Sequence, residues 1–453
     1  MIVMKFGGTS VGIPANFRVA LGLVSERTGQ DPVVVVSALS GVTNLLVDFC
    51  RDVAARRDLA ARLRERHAAH ARELGLATPD LLDLVDQFGA EADRLVASRH
   101  ALVGADRDAW LAWGERLSAA LFAAGLNQAG TPARAVLAGD AGLVTDEHFG
   151  AAHPLPESEA LLRRALGARP PVPVVTGFLG RTRDGRITTL GRGGSDYSAA
   201  LLGAALGATE IQIWTDTSGM LSADPRIVPE ARPVSRLSFA EASELATFGA
   251  RVLHPKTLLP AIDREIPVRV LNTARPAAPG SLIAPLSEAE DAAGQVKSIA
   301  SKKGITAVTI ASTRMLLAHG FLARVFEVFG RHHIVVDLVT TSEVSISVTV
   351  DDTSRLEAAI ADLEGIGRVE VRGNLAVVAV VGEGAPRRIG LAGHVFTLLG
   401  GVGIGIEMIS QGASRVNLSF VVREEDADRA VRLLHRGLGL DAEHAAEESR
   451  QQV

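Results

Sequence analysis

Residues 1 to 12 read MIVMKFGGTSVG, an apolar run that leads through a lysine into two glycines. The run from Ile2 to Phe6 has the composition of a strand buried on both faces, and Pro14 suits the first turn of a helix. Paired glycines let backbone amides approach an anion, and the next helix presents its positive end to it. The lysine precedes the glycines, so this is not the P-loop pattern. We predict a strand, a turn able to bind phosphate beside Lys5, and a helix, although an ordinary tight turn remains the alternative.

The first two-thirds of the chain alternates β-branched runs with amphipathic helical stretches, which is typical of an α/β domain with a mainly parallel sheet. The strand candidates are Ile2 to Phe6, Val33 to Ser37, Ala133 to Leu137, Val172 to Thr176, Ile211 to Thr215 and Pro267 to Leu271. Residues 44–127 between them are rich in Ala, Leu and Arg and predict about three helices. His67 and His70 in this region are interpreted as residues of a solvated helix face rather than metal ligands.

Length and charge limit the possible classes of protein. A chain of 453 residues, 47% of them hydrophobic, predicts two or three domains. The formal net charge of -5 comes from 47 basic and 52 acidic residues without long runs, which disfavours nucleic acid or an anionic membrane as a partner. We find no signal peptide and no stretch of about 18 apolar residues, and Cys50 is the single cysteine, so we expect a cytoplasmic protein with Cys50 buried.

The last third of the chain repeats itself with a period of about 70 residues, and GITAVTIAS from Gly304 aligns with NLAVVAVVG from Asn374. Each repeat reads strand, helix, strand, strand, helix, which predicts two ferredoxin-like βαββαβ modules. We expect a first domain over residues 1–275, a linker over 276–295, and modules over 296–370 and 371–453. The run from Val296 to Ala300 could belong to either module, so strand exchange is open.

Two further turns carry candidate binding residues. In TTLGRGGSDYS, residues 188–198, Arg192 lies among glycines, where its planar guanidinium could hold a carboxylate. Ser195 and Asp196 in the same turn also suit an ordinary helix start, with Ser195 as its cap. In WTDTSGMLSADPR, residues 214–226, Asp216 follows a buried strand, where ligands of α/β sheets collect.

Together these stretches resemble the aspartate kinases of the amino-acid kinase family over nearly the whole chain. The motifs that carry the resemblance, in order, are KFGGTSVG (5–12), SALSGVTN (37–44), GERLS (114–118), TTLGRGGSDYSAA (188–200), WTDTSGM with ADPR (214–226) and FAEASELATFGARVLHPKTLLPA (239–261). The two repeats resemble the family's ACT domains, which bind amino acids as regulators. The stretch LVTTSEVS from Leu338 is most similar to the monofunctional, lysine-sensitive branch.

The resemblance implies the three-layer αβα amino-acid kinase fold and phosphorylation of the L-aspartate β-carboxylate by ATP with Mg²⁺, the first step towards lysine, threonine and methionine. The implied catalytic residues are Lys5 and Asp196. The implied aspartate-binding residues are Thr43, Glu115, Arg192, Ser195 and Asp196. The implied ATP-binding residues are Lys5, Gly7, Gly8, Ser10, Thr215, Asp216, Leu221, Arg226 and Arg251. Leu221 and Arg251 depart from the family pattern, which commonly has tyrosine and lysine at these positions. The resemblance therefore supports the ATP contacts less strongly than the aspartate contacts.

The resemblance also implies a regulatory site for L-lysine in the first repeat and a homodimer formed through the ACT domains. The implied effector residues are Met315, His319, Gly320, Phe321, Leu322, Val336, Asp337, Ser342 and Glu343. Ala318 and Val335 stand where the lysine-sensitive pattern tends to have serines, so a different effector remains an alternative. Two other functions stay open at this point: a kinase for glutamate or N-acetylglutamate, and an amino-acid sensor without kinase activity.

Overall fold

The computed structural model describes residues 1–441 except 77, 99, 168–170, 250–252, 254, 288–289, 291–293, 316–318 and 412–415. Contacts divide the chain into two compact units. The first unit comprises Met1–Met220, Ser235–Phe239 and Arg251–Pro285, and the second comprises Leu221–Val234, Ala240–Ala250 and Leu286–Val453. In the part of the chain that is described, no helix is long and apolar enough to cross a membrane.

The first unit is an α/β fold around an eight-stranded sheet of order β3-β5-β2-β1-β8-β10-β11-β9. The strands of this unit are β1 (Ile2–Phe6), β2 (Pro32–Val36), β3 (Ala133–Val136), β4 (Val144–Thr145), β5 (Val172–Thr176), β6 (Leu179–Thr182), β7 (Ile187–Thr189), β8 (Glu210–Thr215), β9 (Arg236–Leu237), β10 (Val268–Asn272) and β11 (Ser281–Ile283). Strands β4, β6 and β7 form a separate three-stranded sheet. Its helices are α1 (Gly8–Gly12), α2 (Pro14–Ser25), α3 (Val42–Arg51), α4 (Arg56–Leu74), α5 (Pro79–Ala97), α6 (Gly104–Leu111), α7 (Trp113–Gln128), α8 (Ser158–Leu166), α9 (Gly194–Leu206), α10 (Phe239–Thr247), which continues into the second unit, and α11 (Pro255–Asp263).

The six predicted strands are confirmed to within one residue at each end. Strand β1 lies between β2 and β8 and is parallel to both, with Phe6 opposite Val36 and Trp214. All five residues of β1 and of β2 are buried, as expected when both faces of a parallel sheet are covered. Because parallel strands end at the same edge, the residues that follow β1, β2, β5 and β8 are brought together. Strand β11 falls within the stretch that the sequence indicates as a linker.

The helical region between β2 and β3 differs from the prediction. Its described residues form five helices, α3 to α7, rather than about three. The predicted solvated face for His67 and His70 is also wrong, because both side chains are buried. His67 Nδ1 lies 2.8 Å from the Leu63 carbonyl, and burial lowers the pKa of His67 to about 4. The His70 ring packs edge-on against Phe17. Cys50 is buried as predicted, and burial raises its pKa to about 11.

The second unit contains one antiparallel six-stranded sheet of order β13-β14-β12-β15-β17-β16. Its strands are β12 (Ser298–Ala311), β13 (Val339–Thr341), β14 (Ser345–Val350), β15 (Arg368–Val381), β16 (Met408–Ser410) and β17 (Asn417–Arg423), and its helices are α12 (Phe321–Arg331), α13 (Leu356–Glu364), α14 (Leu391–Gly401) and α15 (Ala427–Gly437). The order of elements follows the predicted pair of βαββαβ modules.

The two long strands β12 and β15 cross both modules. Val308 and Ile310 in the later part of β12 belong to one hydrophobic core, with α12 and α13. Val296 and Ile299, near the start of β12, pack instead in the core that includes Val378 on β15 and Leu418 on β17. The run at 296–300, whose module the sequence left open, therefore packs with the second repeat.

Candidate active site

The centre of the site is an ion pair at the carboxyl edge of the sheet. Lys5 Nζ lies 2.6 Å from Asp196 Oδ1, and the two side chains are 9% and 14% exposed. Lys5 is the penultimate residue of β1, and Asp196 lies in the first turn of α9, where a carboxylate interacts favourably with the helix dipole. The alternative in which Ser195 caps the helix does not hold, since α9 begins at Gly194 and no side chain caps it. The fold thus places the two predicted catalytic side chains in contact.

The glycine turn after β1 is held by its own hydrogen bonds. The Gly7 amide donates to the Trp214 carbonyl at 2.9 Å, and the Ser10 amide donates to the Gly7 carbonyl at 2.9 Å. The Ser10 hydroxyl is buried and lies 2.7 Å from the Thr273 hydroxyl. The amides of Gly8 and Thr9 lie in the first turn of α1, whose N–H groups have no acceptor within the helix. Of the amides in this turn, those two are the better placed to bind an anion.

Close packing against the loop after β2 explains the glycines. A Cβ on Gly8 would lie 3.0 Å from the Ala38 carbonyl oxygen, and one on Gly12 would lie 2.5 Å from the Ser40 nitrogen. The loop continues to Gly41, whose φ of 81° allows the chain to enter α3. Thr43 in the first turn of α3 is exposed. The SALSG motif therefore packs against the glycine turn after β1 and leads to Thr43 at the start of a helix.

Glu115 is a buried carboxylate with one oxygen unused. It lies near the start of α7, is 3% exposed, and accepts the Ala38 amide on Oε1 at 3.1 Å. Its Oε2 is buried and has no hydrogen-bond partner among the described residues. Burial raises the pKa of Glu115 to about 8, although the hydrogen bond from Ala38 opposes this effect. At pH 7 the group is therefore mainly protonated, and a cation that binds at Oε2 would favour its ionised form.

Arg192 lies in an open turn between Gly191 and Gly193, which have φ values of 80° and 70°. Its side chain is exposed, and we find no ion pair for it in the described part of the chain. Ser195, which follows two residues after Gly193, packs against Gly177 after β5, where an added Cβ would lie 2.7 Å from Ser195 Cβ. The turn therefore brings a guanidinium with unused donors to the same edge as Lys5.

Asp108 holds the backbone next to the turn that carries Arg192, and it was not among the predicted site residues. Its carboxylate is fully buried on α6, and Oδ2 accepts the amides of Thr189 at 2.7 Å and Gly150 at 2.8 Å. Burial raises its pKa, which the two amide hydrogen bonds oppose. Because Asp108 is 81 residues away from Thr189, no local pattern in the sequence indicates this contact.

The predicted nucleotide residues are divided between the units. Thr215 ends β8, and the exposed Asp216 follows it, with its carbonyl accepting Asn272 Nδ2 at 3.3 Å. Leu221 and Arg226 belong to the second unit, where Leu221 bridges to Pro233 and Arg226 pairs with Asp224 in the predicted turn. Arg251 lies outside the described residues. Lys256, which was not predicted, has its ammonium nitrogen 5.9 Å from the centre of the Tyr197 ring, and Tyr197 follows Asp196 in α9.

The predicted effector residues surround the start of α12 and the β13–β14 hairpin. Gly320, with a φ of 75°, precedes α12, followed by buried Phe321 and exposed Leu322; Met315, His319 and Val336 are at least partly exposed. Ser342 and Glu343 are exposed in the hairpin loop.

Asp337 is already engaged within the protein, because Lys302 Nζ lies 2.9 Å from it and 2.8 Å from Asp351. Burial lowers the pKa of Lys302, but the hydrogen bonds to Asp351 and Asp337 outweigh it, so that the pKa is raised.

Comparison with known proteins identifies the class. The model of the amino acid kinase family matches residues 1–272, and that of the ACT domain matches residues 308–364 and 378–438. The lysine-sensitive aspartokinase 3 of Escherichia coli is 37% identical over 97% of this chain and 99% of its own length. Aspartokinase 1 of Arabidopsis thaliana chloroplasts is 38% identical over 96% of this chain and 79% of its own length.

Solved structures give the same result. Escherichia coli aspartokinase III with aspartate and ADP, in the R-state, has a TM-score of 0.83 at 35% identity, covering 97% of this chain and 99% of that one. The T-state of the same enzyme with lysine and aspartate has a TM-score of 0.75 over the same coverage. The chain belongs to the amino acid kinase family and, within it, to the aspartokinases.

Proposed function

We propose that this chain transfers the γ-phosphoryl group of ATP to the β-carboxylate of L-aspartate at the edge where Lys5 meets Asp196. The observation that carries the proposal is the contact of Lys5 with Asp196 at the carboxyl edge of the sheet. The buried Glu115 is bonded to the loop after β2, and the exposed Arg192 lies in the turn before α9. These charges complement an amino acid with two carboxylates. An Escherichia coli relative was solved with aspartate and ADP, which supports the same pair of ligands here.

Each end of aspartate has a matching group. Arg192 holds the α-carboxylate through two parallel N–H donors, since its guanidinium is exposed and has no protein partner among the described residues. Glu115 Oε2 and Asp196 receive the ammonium group, and ammonium binding satisfies the buried oxygen of Glu115. Thr43 and Ser195 complete the pocket with hydroxyl groups. This arrangement leaves the β-carboxylate directed towards Lys5.

The reaction needs no general base because the β-carboxylate is ionised at pH 7. One of its oxygens attacks the γ-phosphorus in line, the bond to the β,γ-bridging oxygen breaks, and ADP leaves with the electron pair. Lys5 neutralises charge on the transferring group, and Asp196 holds its ammonium in place. Catalysis by this chain consists of alignment and charge neutralisation.

The nucleotide is placed along the glycine turn and the end of β8. We assign the phosphates to the Gly7, Gly8 and Ser10 turn, with the amides of Gly8 and Thr9 as donors. Thr215 and Asp216 contact the rest of the nucleotide, and Leu221, Arg226 and Arg251 remain assigned by motif. Mg²⁺ supplies charge neutralisation at the phosphates when bound. Asp216 offers it one exposed carboxylate while Asp196 is paired with Lys5, which fits an ion held mainly by phosphate oxygens and water.

The direct test is an assay of ADP release with aspartate, glutamate and N-acetylglutamate as acceptors, with and without Mg²⁺. We expect turnover with aspartate only, dependent on Mg²⁺. Turnover with either of the other acids in preference to aspartate would reassign the substrate. Absence of turnover with all three would leave the ACT pair as the working part of an amino-acid sensor.

We propose lysine as the inhibitor, bound at the first ACT module. An Escherichia coli relative is named lysine-sensitive and was solved with lysine, which supports this effector. Gly320 and the start of α12 offer backbone amides to a carboxylate. Because Asp337 is paired with Lys302, the exposed Glu343 is the acid more readily available to the ammonium group of a bound lysine. A ligand that binds Asp337 as well must displace Lys302.

The effect of lysine on catalysis requires a link between the two functions of the chain. Helix α10 lies within the part matched by the kinase family model, yet Glu241 on it is bonded to the ACT modules. Its carboxylate accepts Lys297 Nζ at 2.8 Å and the Glu383 amide at 2.7 Å. A homodimer through the ACT domains, a cytoplasmic location and the division at residues 275, 295 and 370 remain predictions.

A further inference from the structure

The loop after β4 contains a cluster that the phosphoryl-transfer site does not use. Residues 146–153 read DEHFGAAH, and the Asp146 amide donates to the His153 carbonyl at 3.0 Å, which closes the loop. Asp146 Oδ1 accepts the backbone amides of His148 at 3.2 Å and His153 at 2.9 Å. The carboxylate thus fixes the backbone of both histidines and leaves its second oxygen for their rings.

The side chains converge on one point. Asp146 Oδ2 lies 2.9 Å from His148 Nδ1 and 3.1 Å from His153 Nδ1, and the three ligand atoms lie within 4.8 Å of one another. Ligands bound to one zinc ion at about 2.0 to 2.2 Å are roughly 3.0 to 3.5 Å apart. Small shifts of the rings therefore suffice for all three atoms to bind one ion.

The chemistry of the cluster also suits a metal. Asp146 offers one carboxylate oxygen, and His148 and His153 each offer one imidazole nitrogen. The rings of His148 and His153 are mainly exposed and meet edge to face. An ion can enter from solvent and keep water ligands. Two imidazoles and one carboxylate favour zinc or a neighbouring first-row metal over Mg²⁺.

We propose that Asp146, His148 and His153 form a structural binding site for a divalent first-row transition metal such as Zn²⁺. The ion fixes the loop against the turn that carries Arg192. Within the first unit, the Ala152 amide donates to the Thr189 carbonyl at 2.9 Å, and a Cβ on Gly191 would lie 3.2 Å from the Gly150 carbonyl oxygen. The site is distinct from the Mg²⁺ that accompanies ATP.

The test is zinc binding to the full chain, without nucleotide, by equilibrium dialysis followed by metal analysis. Wild type should bind one more zinc per chain than His148→Ala or His153→Ala, and low micromolar zinc should raise the melting temperature of wild type but not of these variants. His332→Ala is the matched control, since His332 lies 2.9 Å from Asp362, whose other ionic partner is Arg331 and not a second histidine. This control should bind zinc as wild type does. Equal zinc stoichiometry in wild type, His148→Ala and His153→Ala would overturn the proposal.

Discussion

Replacing Glu115 with glutamine should stabilise the ligand-free protein while weakening aspartate binding. Glutamine has the same shape, and its carbonyl can still accept the Ala38 amide. The pKa of Glu115 is raised from 4.5 to about 8, so between these values the folded protein holds a proton that the unfolded chain has lost. Stability then falls as pH rises through this window, because the unfolded state binds fewer protons.

The size of the effect follows from the same two pKa values. The raised pKa lowers the free energy of unfolding of wild type above pH 4.5, and a neutral glutamine does not have this effect. The variant should therefore be more stable than wild type by about 3 kcal/mol at pH 7 and by about 1 kcal/mol at pH 5. Urea unfolding of the ligand-free proteins at both pH values measures the difference. A gain that is absent at pH 7, or equally large at pH 5, would refute the buried and unpaired state of Glu115.

The same substitution should lower kcat/KM for aspartate although it stabilises the fold. Loss of a charge-assisted hydrogen bond to the substrate ammonium is worth about 1.5 to 3 kcal/mol, so kcat/KM for aspartate should fall roughly 10-fold to 150-fold in Glu115→Gln. In wild type, the ionised fraction of Glu115 rises from about 1% at pH 6 to about half at pH 8, so kcat/KM should rise up to roughly 50-fold over this range. The variant should lose this rise. An unchanged pH profile would place the ammonium elsewhere.

Three other substitutions test the remaining assignments. Lys5→Ala should reduce kcat roughly 100-fold to 1000-fold with an unchanged circular dichroism spectrum, and turnover within about threefold of wild type would contradict its role. Arg192→Lys should raise KM for aspartate much more than KM for ATP, because a lysine cannot reproduce the planar fork; the reverse pattern would move Arg192 to the nucleotide site. Glu343→Ala should weaken inhibition by lysine while basal kinetics stay unchanged. The coupling free energy between the lysine site and the active site should be about 1 to 3 kcal/mol. Inhibition of wild type by threonine or methionine instead of lysine would show that lysine is not the effector.

The strands could be predicted because each is a short, continuous apolar run, as expected for a parallel sheet covered on both faces. The meeting of Lys5 and Asp196 was predictable only through the family motifs, since 191 residues separate them in the sequence. The errors lie where polar residues are buried. His67 and His70 stand among arginines and acids in α4, so their helical spacing suggested a solvated face, whereas the fold covers them.

Contacts between distant side chains were beyond prediction for a related reason. The pairing of Lys302 with Asp337 and Asp351 depends on which strands lie side by side in the six-stranded sheet. Asp337 suits an effector's ammonium group by its residue type, but in the folded chain Lys302 is already paired with it. Likewise, the hydrophobic core that Val296 and Ile299 enter is decided by tertiary packing and not by the local sequence.

The buried carboxylates beside the proposed pocket explain why its specificity should be high. Among the described residues, Glu115 Oε2 and Asp108 Oδ1 are buried oxygens without a hydrogen-bond partner, a state that burial makes unfavourable. Asp108 uses its other oxygen to hold the backbone before the Arg192 turn, while Glu115 Oε2 remains for the ligand. A ligand without an ammonium group, such as N-acetylglutamate, would leave Glu115 buried and unsatisfied. Rejection of acylated amino acids therefore follows from the unsatisfied acceptor, and steric exclusion need not be invoked.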